Sequence, residues 1–202
     1  MDKPHDKHQD AGRYHLTRTT DNDGYAFVVQ EVERHDPTLI PALTELDLLT
    51  YSEPTFSRFT LGAILRHGRV FLARADDLVI GAIHCLRSFD EPDEVTIFNM
   101  ALRPGWRGHG LGTRFLSAVL EKLRARAVRT VTLQVADSNH RALSVYREKL
   151  GFSVVAVHAA EYHNGQRFLL LRLNLDGTPV QALGHVPAAA PAPADPARDG
   201  GN

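Results

Sequence analysis

Three glycines at alternate positions mark the part of the sequence that is best suited to bind a phosphate group. The segment from 103 to 112 reads RPGWRGHGLG and contains Gly108, Gly110 and Gly112 between a strand-like stretch and an amphipathic one. Glycine allows backbone N–H groups to turn toward an anion, and a helix that begins there directs its positive end at the same point. Arg107 adds a guanidinium that can bind two phosphate oxygens. The segment therefore predicts a phosphate-binding loop at the start of a helix.

Two familiar kinds of phosphate-binding loop match this segment poorly. The nucleoside-triphosphate loop has Gly-Lys-Ser/Thr after its glycines, whereas Gly112 is followed here by Thr113 and Arg114. The dinucleotide fold needs Gly-x-Gly-x-x-Gly and an acidic residue about twenty positions further on, where this chain has threonines and Gln134. The first kind of loop is therefore excluded, and NAD is disfavoured.

A second group of residues supports a different phosphate-containing ligand. Asn139 and Tyr146 stand at helix-compatible spacing, and residues 149–152 read KLGF. Together with the pattern Arg107-x-x-Gly110-x-Gly112, this resembles the two motifs of the GNAT superfamily of N-acetyltransferases. The run EVTIFNMAL at 94–102 is most similar to that of the RimI-type ribosomal-protein-alanine N-acetyltransferases. The resemblance covers roughly residues 25–175.

The resemblance implies acetyl-coenzyme A as the acetyl donor and names the residues that hold it. Backbone amides of 107–112 would bind its pyrophosphate, and the strand edge at 100–102 would pair with the pantetheine arm as an extra strand does. Tyr146 would protonate the departing thiolate, whose conjugate acid has a pKa of about 8.5. The implied cofactor-binding residues are Met100, Ala101, Leu102, Arg107, Gly108, His109, Gly110, Leu111, Gly112 and Asn139.

The base for the incoming amine is where this chain departs from the alanine acetyltransferases. Their strand ends in Glu-Val, and the glutamate position is Gln134 here. An amide takes no proton at neutral pH, so we expect Glu94 to act as the base through water, with Glu161 and His84 as weaker candidates. An α-amine has a pKa of about 7.7–8.0 and a lysine amine one of about 10.4. The α-amine therefore depends less on a base, because more of it is neutral at pH 7.

Two further departures leave the acceptor open. The segment 159–168 contains only part of the aromatic and acidic set that receives a peptide terminus in the family, and one extra residue separates Tyr146 from Leu150-Gly151-Phe152. The leading hypothesis is transfer of an acetyl group to a primary amine, either a protein N-terminus or a small molecule such as a metabolite or antibiotic. The alternative is a catalytically silent acyl-CoA-binding module that regulates a partner. Cys85 as an acetylated intermediate is disfavoured, because a buried thiol is the ordinary expectation on an apolar strand.

The elements that must position these residues alternate between helical and strand-like periodicity. We predict an α+β fold, which the resemblance specifies as the GNAT fold: a mixed, mostly antiparallel sheet flanked by helices, with acetyl-CoA at a splayed central strand pair. In the strand 94–102, regular alternation would place Glu94, Thr96, Phe98 and Met100 on one face. The predicted helices are 39–49, 59–65, 111–123 and 139–149, and the predicted strands are 69–75, 78–86, 94–102, 129–136, 154–158 and 167–173, the last two joined at Asn164-Gly165.

Composition limits the class of protein. The chain has 202 residues, 43% of them hydrophobic, and a net charge of −1, which suits one compact domain and argues against a nucleic-acid partner. The N-terminus lacks an apolar segment, and no stretch approaches the ~20 residues of a membrane helix. We therefore expect a soluble, cytoplasmic protein without membrane contact.

The ends of the chain differ from its middle. We predict a polar tail at 1–24, the acetyltransferase domain at 25–175 and an Ala/Pro-rich tail at 176–202. A single cysteine permits no internal disulfide, and no metal site is expected, since nothing fixes His5, His8 and His15 in a chelating geometry. We expect a monomer or a homodimer.

Overall fold

Eight strands form one sheet in the computed structural model of the chain, which describes residues 16–20, 26–32, 35–51, 55–158 and 166–182. The strands are β1 Leu16–Thr20, β2 Ala26–Val32, β3 Arg69–Ala75, β4 Leu78–Arg87, β5 Glu94–Leu102, β6 Thr130–Ala136, β7 Ser153–His158 and β8 Phe168–Asn174. The helices are α1 Ile40–Tyr51, α2 Arg58–His67, α3 Leu111–Ala125 and α4 His140–Ser144, which continues as a π-helical turn at Val145–Lys149.

The sheet opens at its centre. Its order is β1-β2-β3-β4-β5-β6-β8-β7, and β5 and β6 are the parallel pair among otherwise antiparallel neighbours. A parallel pair needs a crossover, which α3 provides. The pairing of β5 with β6 runs from Glu94 opposite Thr130 to Ile97 opposite Leu133 and stops there. The rest of β5 is therefore splayed from β6, and the predicted fold class is confirmed.

Helices cover both faces of the sheet. On one face, α3 buries Phe115 and Leu116 against Phe27 and Phe71, in a set of contacts that we call the α3 cluster. On the other, α1 and α2 bury leucines against Leu72 in the α1–α2 cluster. The buried positions of α3 recur at the three- and four-residue spacing seen in the sequence, because a helix turns once every 3.6 residues.

A β-bulge in β5 overturns the predicted alternation of that strand. His84 of β4 lies opposite Asn99, but Cys85 lies opposite Ile97, so Phe98 is an extra residue. Ile97 packs in the α3 cluster before the bulge, and Met100 packs there after it. The prediction that Met100 shares a face with Glu94 is therefore wrong, because an inserted residue reverses the two-residue period.

The N-terminal strands had no clear signal in the sequence. Residues 1–24 were assigned to a tail, yet the sheet begins inside that segment with β1, which pairs with β2 from Leu16 opposite Gln30 to Thr20 opposite Ala26. In β2, Glu31 is buried and forms ion pairs with Arg69 and Arg126, at 3.4 and 2.7 Å. A buried glutamate breaks the apolar pattern of a strand, and only arginines from distant elements make it tolerable.

Some predictions concern residues outside the described ranges. These are His5, His8 and His15, Glu161 and the Asn164-Gly165 turn. Among the helices that are described, none combines the length and apolar character needed to cross a membrane.

Candidate active site

The glycine loop forms the wall of a pocket at the N-terminus of α3. Gly108 and Gly110 have φ angles of +100° and +71°, which glycine adopts at little cost. Gly110 caps α3 without a side chain, and the first α-helical bond runs from the Arg114 N–H to the Gly110 carbonyl at 3.1 Å. The N–H groups of residues 111–113 precede that bond and have no intrahelical acceptor. A methyl group built on Gly110 would meet no atom within 4 Å, so the space beside this residue is open.

The pocket has a volume of about 710 Å³ and lies between this loop, the end of β5 and α4. Three cationic side chains line it: Arg107, Arg141 and Lys149. Among the residues that the structure describes, the lining contains no carboxylate. Unpaired N–H donors and an excess of cations make the pocket suited to an anionic ligand with several phosphates.

The open edge of β5 faces the pocket. The Leu102 carbonyl accepts a hydrogen bond from Nε of Arg107 at 2.8 Å, and the Met100 carbonyl accepts one from the Tyr51 hydroxyl at 3.0 Å. Carbonyls two residues apart point to the same side of a strand. The edge predicted to receive the pantetheine arm is therefore exposed to the pocket, with two of its carbonyls already hydrogen-bonded to side chains.

α4 and its π-helical turn bring the second motif to the same place. Asn139 caps α4, where its Oδ1 accepts a hydrogen bond from the Ala142 N–H at 3.1 Å, and its amide nitrogen remains available to a ligand. Tyr146 lies in the π turn, and its carbonyl accepts a hydrogen bond from the Phe152 N–H at 2.9 Å. A π turn accommodates one residue more than an α turn. It therefore absorbs the extra residue that separates Tyr146 from Leu150.

Tyr146 is partly buried between the pocket and the α3 cluster. Its ring centroid lies 6.0 Å from that of Phe152 at an interplanar angle of 60°, and the side chain lines the pocket. Burial raises the pKa of Tyr146 above its ordinary value of 10.0. The hydroxyl is therefore protonated at neutral pH and can act as a hydrogen-bond donor or an acid.

Tyr51, at the end of α1, is a pocket residue that the sequence analysis missed. Its hydroxyl donates toward Oδ1 of Asn99 at 2.7 Å and toward the Met100 carbonyl. Burial, with the charges of Tyr146 and Asp47 adding to it and that of Arg107 opposing it, raises the pKa of Tyr51 to about 12. No local signal distinguishes a tyrosine at a helix end, and the same holds for Arg141.

The structure brings most of the predicted cofactor residues together. Met100, Leu102, Arg107, Gly108, Gly110, Gly112, Asn139 and Tyr146 line the pocket. Ala101 and Leu111 are buried in the core, and His109 is exposed outside the lining. Only the backbone of these last three residues is placed to contribute.

The predicted base lies further away. Glu94 begins β5, four residues or about 13 Å before the bulge, and its carboxylate is paired with Arg172 and with the Thr132 hydroxyl rather than lining the pocket. Gln134 is exposed on β6. Burial and the charge of Glu31 raise the pKa of Cys85 to about 12, which keeps this buried thiol protonated.

Comparison with known proteins adds to this geometry. A model of the acetyltransferase (GNAT) family matches residues 13–152. A ribosomal protein bS18-alanine N-acetyltransferase of Salmonella typhimurium is 36% identical over 74 residues, which are 37% of this chain and 49% of that protein. A mycothiol acetyltransferase of Beutenbergia cavernae is 44% identical over 70 residues, 34% of this chain and 23% of that protein. The chain thus spans about half, or less, of the length of these curated relatives.

A solved structure agrees with the fold. The crystal structure of the ribosomal-protein-S18-alanine N-acetyltransferase from Escherichia coli superposes with a TM-score of 0.64 and 23% identity. The superposition covers 77% of this chain and 98% of that one. At this identity the likeness shows a shared architecture.

Proposed function

Because the chain belongs to the acetyltransferase (GNAT) family, we propose that it transfers the acetyl group of acetyl-CoA to a primary amine. The observation that carries this proposal is a single pocket lined by the glycine loop, by the three cations Arg107, Arg141 and Lys149, and by Tyr146. An acyl carrier with a diphosphate and a long neutral arm matches that arrangement. The cytoplasmic location and the oligomeric state stay predictions.

The donor-binding residues have separate tasks. The N–H groups at the start of α3, with Arg107, hold the diphosphate, and Arg141 and Lys149 supply further positive charge. The edge of β5 from Met100 to Leu102 contacts the amide-rich arm through its backbone. The Asn139 amide nitrogen contacts the arm near the thioester. The carrier supplies an activated acetyl group, and the protein supplies its position and a proton.

The transfer needs one acid. The nitrogen of a neutral amine attacks the thioester carbonyl carbon, so that a C–N bond forms, the C–S bond breaks and the sulfur leaves with the electron pair. Tyr146 donates its proton to that sulfur and regains one from solvent. General acid catalysis of this kind contributes on the order of 10²–10⁴ in rate.

The proton of the amine must leave the nitrogen. The described pocket lining has no carboxylate, and Glu94, acting through water, stays our predicted base. About a tenth of an α-amine is already neutral at pH 7, whereas a lysine amine is neutral only in about one molecule in a few thousand. A pocket whose described lining has no carboxylate suits an α-amine better than a lysine amine.

We propose a protein N-terminus as the acceptor. The ribosomal protein bS18-alanine N-acetyltransferases, by their name, acetylate a nitrogen of an alanine in that protein, and they match part of this chain. A small-molecule amine is the second candidate, favoured by the similarity to a mycothiol acetyltransferase. A regulatory module without turnover is the competing hypothesis.

The test measures donor binding and turnover separately. Calorimetry with acetyl-CoA is expected to give one saturable site. Release of free coenzyme A thiol is then followed with decapeptides that begin with alanine, serine or blocked alanine, and with a panel of small amines. Turnover with the free alanine peptide and none with its blocked form supports the proposal. Binding without turnover on any amine favours the regulatory module, and no binding contradicts both.

A further inference from the structure

A group of buried polar side chains lies beneath α1, beside the pocket, and the proposed transfer uses none of them. Asp47, His84 and Asn99 are 4%, 3% and 8% exposed, and we call them the buried polar cluster. Oδ1 of Asp47, both ring nitrogens of His84 and Nδ2 of Asn99 have no hydrogen-bond partner within the described chain. Buried polar atoms are normally satisfied by protein or by ordered water. Four such atoms in one place require an explanation.

The cluster reaches the pocket through Tyr51. The Tyr51 hydroxyl lies 2.7 Å from Oδ1 of Asn99 and 3.0 Å from the Met100 carbonyl oxygen. A phenol has one proton, and a backbone carbonyl can only accept. The proton of Tyr51 is therefore directed at β5, and the lone pairs of its oxygen are left for the pocket that it lines.

His84 is the cross-strand neighbour of Asn99. It lies opposite Asn99 in the β4–β5 register, so the two side chains are about 5 Å apart, on one face. Burial lowers the pKa of His84 to about 4, against an opposing effect of Asp47, and the neutral ring has a lone pair to offer. The Oδ1 atom of Asn99 faces the Tyr51 hydroxyl, and its Nδ2 atom, like the ring nitrogens of His84, has no hydrogen-bond partner among the described residues.

The charged side chains in the described lining of the pocket are all hydrogen-bond donors. Arg107, Arg141 and Lys149 can only donate, and Tyr146 has the role of acid. The N–H hydrogens of the amine need an acceptor if its lone pair is to face the carbonyl carbon. Tyr51 and Tyr146 both line the pocket, and the Tyr51 hydroxyl donates to β5 at the Met100 carbonyl.

We propose that Tyr51 accepts a hydrogen bond from the substrate amine and aims its nitrogen at the thioester, and that Asn99 positions Tyr51 for this. The inference rests on the proposed function and names the group that binds the amine. It gives the two tyrosines of the pocket opposite roles: Tyr146 donates a proton to the sulfur, and Tyr51 accepts from the nitrogen.

The first test replaces the hydroxyl alone. Tyr51→Phe is expected to raise KM for the alanine-first decapeptide about three- to tenfold, the effect of one neutral hydrogen bond, with less change in kcat. The Kd for acetyl-CoA is expected to change less than twofold. Thr44→Val is the matched control, because it removes a hydroxyl of the same helix that bonds only the Ile40 carbonyl. An unchanged KM in Tyr51→Phe overturns the inference.

The second test separates positioning from folding. If Asn99 acts through Tyr51, Asn99→Ala raises KM by a similar factor, and the double variant with Tyr51→Phe is no worse than Tyr51→Phe alone. Multiplicative effects contradict the positioning role, and thermal unfolding shows whether each variant is folded. If the wild-type protein binds no acetyl-CoA, the proposed function itself is contradicted. If the wild type turns over and Tyr51→Phe has the same KM as the wild type, only this inference is contradicted.

Discussion

At the residue scale, the pocket sets two phenols in different surroundings. Tyr146, in the π turn, packs against Phe152 and lines the pocket, while the proton of Tyr51 is directed at Asn99 and Met100. Burial raises the pKa of both. Identical side chains therefore differ in what they offer a ligand, because their neighbours differ in hydrogen-bonding capacity.

Tyr146→Phe tests the acid. We expect kcat to fall about 100-fold or more, the lower end for general acid catalysis, with little change in the Kd for acetyl-CoA. Steady-state kinetics and calorimetry measure the two quantities. A variant with undiminished kcat would remove Tyr146 from this role.

The pH dependence of the wild type follows from the same tyrosine. A raised pKa keeps Tyr146 protonated beyond its ordinary value of 10.0, so ionisation of this acid is not expected to lower kcat anywhere below pH 10. We expect kcat at saturating substrate to hold from neutral pH to that limit. A decline well below pH 10, absent in Tyr146→Phe, would contradict the assigned acid.

At the element scale, the start of α3 and the end of α4 decide whether the pocket can work. The first is a helix terminus whose N–H groups are uncapped by side chains. The second is a π turn, which contains one residue more than an α turn. Each element departs from regular helical structure where it meets the pocket, which is where such departures concentrate.

Gly110→Ala tests the loop. A residue with a side chain at φ +71° costs about 1–2 kcal/mol, and the new methyl group enters the open space in which we propose that the diphosphate binds. We expect the Kd for acetyl-CoA to rise at least about tenfold by calorimetry. Gly105→Ala is the matched control, because its methyl group also meets no atom within 4 Å and its φ is not positive. Equal effects in the two variants would contradict the binding role.

The role of the π turn is tested by shortening it by one residue. Deleting Arg147, which is exposed, leaves an α turn and rotates Tyr146 relative to Phe152 by about 100°, the angle per helical residue. We expect a loss of kcat of tenfold or more with a folded protein. Arg147→Ala keeps the length and is expected to keep the activity. Full activity in the deletion variant would show that the turn is incidental.

At the scale of the whole molecule, polar groups are buried on both faces of the sheet. Glu31 is paired with arginines on the side of α3, and the buried polar cluster lies under α1. Both sit between elements that are distant in sequence. Of these buried groups, His84 makes the stability of the fold depend on pH, because burial lowers its pKa.

His84 is expected to lower the free energy of unfolding as the pH becomes acidic. Its pKa is about 4 in the folded chain, below the ordinary 6.5, so the unfolded state binds more protons as the pH falls. We expect the contribution of His84 to the free energy of unfolding to be constant above pH 6.5. Between pH 6.5 and about pH 4, this contribution is expected to decrease by roughly 3 kcal/mol. Urea unfolding of wild type and His84→Gln at pH 7.5 and 4.5 measures this, because other titrations cancel in the difference. Equal losses in both proteins would contradict it.

The sequence by itself determined the features that are encoded locally. The glycine loop, the motif around Asn139 and Tyr146, and the bounds of β3 and β5 follow from backbone freedom, side-chain chemistry and periodicity within a few residues. The extra residue before Leu150 was visible as well, although its accommodation by a π turn was not. These features placed most of the residues that line the pocket.

The tertiary structure alone decided what depends on contacts between distant residues. The bulge at Phe98 arises from the register of β4 against β5, and β2 holds a buried Glu31 because arginines from β3 and the end of α3 reach it. Tyr51 is held in the pocket by hydrogen bonds to Asn99 and Met100, which are 48 and 49 positions away in the sequence. Local periodicity contains no information about such pairings, since they exist only once separate elements have packed together.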